Sequence, residues 1–123
     1  MRTQFRLHDG VRICHLDFSQ VADEEEALKA IEDAKRIIAA EPPKSVYTIT
    51  DVTGSRATPK LRAALQDLTS HNKKYVVYGA VVGVTSIQRA VLRGIILLTG
   101  RKLVAAESMA AAVAAIQQEA RKA

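Results

Sequence analysis

The chain's 123 residues, 48% hydrophobic and 25% charged, have the size and balance of one soluble domain over residues 1–123, with a real core. Its lone Cys14 excludes an internal disulfide, and no apolar run approaches the roughly 18 residues of a membrane span. The polar, basic residues 1–7 lack the apolar core of a signal peptide, so a cytoplasmic protein without an integral membrane segment is expected.

The net charge of +5 is unevenly spread: residues 1–51 hold 7 Lys or Arg against 10 Asp or Glu, and residues 52–123 hold 11 against 3. A basic half attracts phosphates, acidic partners or anionic lipid heads. Nucleic acid is not expected, because Phe5, Phe18, Tyr47, Tyr75 and Tyr78 do not interleave with the basic residues as a stacking platform would.

In chain order, 4–8 and 11–16 read as strands flanking Asp9-Gly10, a two-residue hairpin turn that sets Phe5 across from Cys14 and Leu7 across from Arg12. Residues 23–40 predict a helix. Asp23 and Glu26 have capping-box spacing, the acidic start suits the helix dipole, and Ala27, Leu28, Ile31, Ala34 and Ile38 form one apolar stripe. Glu41-Pro42-Pro43 ends it. Residues 45–50 are a β-branched strand that breaks into a polar loop, and Thr58-Pro59 then starts a second helix reaching about Ser70. Leu61, Ala64, Leu65 and Leu68 make its buried face. After a polar break at 71–74, residues 75–84 are almost continuously apolar, as in a central strand covered on both faces, and Gly79 within it allows close packing.

The segment 83–88 repeats the strand–turn–helix device. Thr85 and Gln88 form a second capping-box pair, and the helix runs from Ser86 to Thr99 before Gly100. Ile87, Val91, Ile95 and Leu98 mark one face, and Leu92, Ile96 and Leu97 widen it. Such excess suits a homodimer seam, a partner helix or deep burial. Arg89 and Arg93, one turn apart, form a basic patch on the remaining face. A short strand at 102–106 precedes an Ala-rich helix capped by Ser108 and reaching about Ala120. The order β-β-α-β-α-β-α-β-α predicts an α/β fold: a mixed, mostly parallel sheet of about five strands with helices packed on it.

Catalytic and metal-binding patterns are thin. His8, His15 and His71 have no metal-ligand spacing, no Ser sits in a nucleophile elbow, and no glycine-rich phosphate loop is present. Cys14 reads as a small buried hydrophobe. A reactive thiol would need a nearby base, and His15 points to the opposite face of the strand. Asp17 and Asp51 end two strands, as acidic residues do in response-regulator receiver domains. A receiver also wants a Lys at the carboxyl end of its last strand, and Lys102 stands at the beginning. No cofactor is implied. What remains are two polar helix starts at carboxyl strand ends, where open α/β sheets place binding crevices and where helix N-termini attract anions. Asp51, Thr53, Ser55 and Thr58 in one loop, with Gly83, Thr85 and Ser86 in the other, are therefore candidates for binding a ligand or phosphate. Local capping accounts for Thr58 and Thr85, and leaves Thr53 and Ser55 as the more informative pair.

Asp51-Val52-Thr53-Gly54 resembles the Asp-Leu-Ser-Gly strand end of the STAS-like fold family, the class of the sporulation anti-sigma factor antagonists with its Sec14-like relatives. Ala80-Val81-Val82-Gly83 before a helix, and Leu98-Thr99-Gly100-Arg101, are similar to small members of unassigned role. The resemblance implies a STAS-like domain that binds proteins, nucleotides or other small ligands rather than catalysing. It also implies a phosphorylated Ser at the start of the second helix in the antagonists. Here the loop is shorter, Ser55-Arg56-Ala57-Thr58-Pro59, and that position falls near Thr58. The expectation is a non-enzymatic regulatory or ligand- and protein-binding module. The alternatives are a carrier or sensor of a lipid or anionic small molecule, and a small enzyme using Asp51.

Overall fold

Asp9 and Gly10 both take positive φ, 50° and 85°, and fold β1 (Thr3–His8) back on β2 (Val11–Asp17). This is the conformation a tight two-residue hairpin turn requires. Phe5 pairs with Cys14 and Leu7 with Arg12, the register expected from that turn. The structure is a computed structural model that describes residues 2–21, 23–55 and 58–122.

The remaining strands are β3 (Val46–Asp51), β4 (Val76–Val82) and β5 (Leu103–Ala106). They lie beside β2 in the order β1-β2-β3-β4-β5, all parallel except the β1–β2 hairpin. Each parallel step is crossed by a helix: α1 (Glu24–Ala39), α2 (Pro59–Asn72) and α3 (Ser86–Thr99), with α4 (Met109–Lys122) closing the chain. The fold is thus a small α/β domain with the predicted element order.

Alternation along the strands divides the core in two. Cys14, Leu16 and Val46 face α1 and α2, where Ala27, Ala30, Ile31, Ala34, Ile38, Leu61 and Leu68 meet them. Ile13, Ile49, Ala80 and Val82 face the other way, against Ala112 and Ile116 of α4. His15 shares the α4 face. Its Nε2 lies 2.9 Å from that of His8, and burial first, then His8 and Arg6, hold its pKa below the ordinary 6.5. Cys14 lies on the α1 side, wholly buried, and burial pushes its thiol up to about 12. It packs as a hydrophobe.

Three details differ from the sequence reading. Asp23 caps α1 by accepting from the amide of Glu25, not Glu26. The Glu26 carboxylate is drawn instead to Arg2, at 3.0 Å, so no capping box closes. α2 runs on through His71 to Asn72, whose side chain is buried, and Tyr75 folds back by donating its amide to the Asn72 carbonyl. In α3 the expected stripe is rotated: Ile87 and Leu98 point outward, while Val91, Leu92 and Ile95 face the sheet side.

Candidate functional site

The polar strand ends are built from paired turns. The Asp51 carboxylate accepts from the amide of Thr53 at 3.0 Å and from its hydroxyl at 2.6 Å. On the neighbouring strand, in register with Asp51, the Asp17 carboxylate takes the amide and hydroxyl of Ser19 in the same way. Burial alone would raise the Asp17 pKa. The two Ser19 hydrogen bonds, with Arg2 and Arg6, outweigh it and hold the carboxyl below its ordinary value. The turns are stitched together, Phe18 donating its amide to the Asp51 carbonyl and Gln20 to that of Thr53. One oxygen of each carboxylate is thereby engaged by its own loop, the behaviour that makes Asp, Ser and Thr turn residues.

The helix starts are occupied as well. Thr58 accepts from the amide of Leu61 and donates its hydroxyl to Glu24 at 2.7 Å. Thr85 and Gln88 close a full capping box on α3. The Ser55 hydroxyl donates to the Val52 carbonyl. Gly83, at φ 88°, lies so close to Thr53 that a Cβ there would meet its backbone at 2.6 Å, so the two loops touch. Ser86 is the exposed first residue of α3. Arg89 and Arg93 are exposed on α3. Arg56 and Ala57 of the loop lie outside the described residues. The sequence candidates therefore gather at one sheet edge, and Ser55 among them borders a space that a ligand could enter.

That space is a cavity of about 120 Å³ between the sheet, α2 and α3. Thr48, Thr50 and Val52 of β3 and its end, with Val81 and Leu103, form its floor. Leu65 and Leu68 wall it from α2, and Val91, Leu92 and Ile95 roof it from α3. Its existence follows from how α3 is held. The capping box fixes one end of the helix, and Gly100, at φ 70°, fixes the other by donating its amide to the Ile96 carbonyl. Between these ends no large apolar residue of α3 is fully buried.

The most unusual group in the wall is Arg101. It stands between Gly100 and β5, only 6% exposed, and its guanidinium donates to the Thr69 carbonyl in the last turn of α2 at 3.2 Å. Among the described residues no carboxylate forms an ion pair with it. Burial pulls its pKa down to about 10, which still leaves it cationic at neutral pH. Nearby, the Thr48 hydroxyl lines the cavity from a residue only 2% exposed and makes no hydrogen bond among the described residues. A buried charge is normally paired, so this corner is polar capacity set in an apolar enclosure.

Sequence reasoning missed Arg101, Thr48 and the cavity itself. Two signals were present: the Thr48–Thr50 alternation within an apolar strand, and an Arg directly after a helix-ending Gly. Among the described residues no group of three or more His, Cys, Asp or Glu is placed to hold a metal ion, and no helix is long and apolar enough to cross a membrane. No family model matches the chain, and no curated protein matches it.

Proposed function

We propose that the protein is a non-enzymatic, STAS-like binding module that carries or senses a small, largely apolar ligand in the cavity beneath α3. The observation that supports this is the roof itself: a helix fixed at both ends, with Val91, Leu92 and Ile95 turned toward a space they do not fill. Small-molecule sites are concave, mostly apolar and furnished with a few polar groups, and this cavity has that make-up. The hydrogen bonds from the Thr53 amide and hydroxyl to one oxygen of Asp51 weigh against catalysis at the loop.

The reading is tested by following Leu, Val and Ile methyl resonances during titration with benzyl alcohol, a neutral probe. Shifts concentrated at Leu65, Leu92, Ile95 and Leu103 are expected, and Val91→Phe, which fills the space, should abolish them. Unmoved methyls in the native protein would sink the proposal.

A homodimer through the Ser86–Thr99 helix is a second reading. Ile87 and Leu97 are 81% exposed and Leu98 is 73% exposed, apolar surface near the two ends of the helix that a second copy would cover. A monomeric mass by light scattering at high protein concentration would exclude it.

A further inference from the structure

Arg101 gives the cavity a chemical preference. Four observations meet at its position. Arg101 is buried, it lacks a carboxylate among the described residues, it borders the cavity, and the one hydrogen bond its side chain makes among those residues goes to a single helix carbonyl. The Thr69 carbonyl belongs to the negative end of α2, which stabilises the cation in part. It leaves most of the five guanidinium donors without an acceptor among the described residues.

Gly79 brings a second donor to the same spot. A Cβ built on Gly79 would lie 2.6 Å from the Thr48 hydroxyl and 3.3 Å from Nη2 of Arg101. The hydroxyl and the guanidinium are therefore close enough to grip one small anion between them. The absent side chain is what leaves room for both.

We infer that the cavity binds a monoanionic carboxylate with a compact apolar body, its carboxylate held by Arg101 and Thr48 and its body lying under Leu92 and Ile95. This rests on the cavity being a ligand site. Size sets the body: apolar cavities of about 150 Å³ take up benzene, so about 120 Å³ suits one ring or a short branched chain. Charge sets the head. Arg62, the other cation bordering the cavity among the described residues, stands on α2 roughly two helical turns from Thr69. One guanidinium balances one carboxylate, whereas a phosphate ester brings a charge of about −1.5 to −2 into the same apolar space. An arginine fork also matches the two oxygens of a carboxylate.

The experiment is calorimetric and NMR titration of the whole chain with benzoate, benzyl alcohol and phenyl phosphate. Benzoate should bind at least about tenfold more tightly than benzyl alcohol, as expected for hydrogen bonds to a charged group. Arg101→Met should erase that difference while leaving benzyl alcohol binding in place. Thr48→Val, which keeps the side-chain shape, should weaken benzoate several-fold without touching the neutral probe, and it provides the test if Arg101→Met fails to fold. Equal binding of benzoate and benzyl alcohol would overturn the assignment and leave the cavity reading standing. So would a benzoate preference that survives loss of Arg101. Tighter binding of phenyl phosphate than of benzoate would overturn the choice of head group. If no probe binds, the ligand site and the assignment fall together.

Discussion

α1 and α3 cover the same side of one sheet and solve the problem differently. α1 presents Ala27, Ala30 and Ala34 between Ile31 and Ile38, and all five are buried. Small residues let the helix approach the strands, and the two isoleucines fill what remains. α3 presents Val91, Leu92 and Ile95, each half-buried, and sets Ile87, Leu97 and Leu98 in solvent. The apolar content of α3 is the greater of the two, yet it contributes less to the core. The contrast teaches that apolar content does not decide burial. What decides it is whether the facing surface lets the helix come close. Under α1 the floor is Cys14, Leu16 and Val46, and under α3 it includes Thr48, Thr50 and a buried cation.

The largest test of this contrast is truncation. Ile38→Ala should cost about 3 kcal/mol in urea denaturation, because a fully buried residue leaves a void behind. Leu92→Ala should cost about 1 kcal/mol, since the side chain already borders empty space. Equal losses at the two sites would mean that α3 is packed as tightly as α1, and the comparison would fail.

Amide exchange measures the same difference without mutation. Helices with few buried apolar contacts open locally, below the global unfolding free energy. The central amides of α3 should exchange about tenfold to a hundredfold faster than those of α1, despite the better caps on α3. Protection that is equal along both helices would show that its fixed ends suffice to hold the roof shut.

Local rules made most of the fold legible. Asp9-Gly10 has the chemistry of its turn, Thr58-Pro59 and Thr85 with Gln88 carry their caps, and Gly100 ends α3 at positive φ. Each of these depends on residues within four positions of one another. The cavity depends on residues far apart, from Thr48 through Leu65 and Leu92 to Leu103, and on the height of α3 above the strands. No periodicity encodes that height, and so the stripe that groups Ile87 and Leu98 with Val91 and Ile95 does not show that the first two stand in solvent. Arg101 was hidden for the same reason. An Arg after a helix-ending Gly reads as a surface cation, and here it is buried beside Gly79, where a Cβ would lie 3.3 Å from its Nη2. The loop candidates were legible as polar groups. Their mutual hydrogen bonds, which leave little for a ligand, were not.

Acid offers a subtler separation. Burial, His8 and Arg6 disfavour the protonated form of His15 in the native state and place its pKa below 6.5. Between that lowered value and 6.5 the unfolded chain binds more protons than the folded one. Global stability therefore falls as the pH drops through this window, and the loss levels off beneath it. The protection of α1 amides, corrected for intrinsic exchange, should decline from pH 7 to about pH 5, because they report global unfolding. The α3 amides, which exchange by local opening, should not follow. His15→Phe should flatten the α1 decline. A parallel decline in both helices would place them in one cooperative unit.

The smallest expected effect concerns the outer face of α3. Leu97 and Leu98 stand in solvent, so Leu97→Ser with Leu98→Ser removes little buried area and should change stability by no more than about 0.5 kcal/mol in dilute protein. A core position on α1 could not tolerate such a change. The outcome also bears on association. A second copy seated on this face would bury both leucines, and the double variant would then lose stability that grows with protein concentration in the native chain. Concentration-independent melting of both proteins would leave α3 as a roof with two apolar sides, the inner one facing the cavity and the outer one facing water.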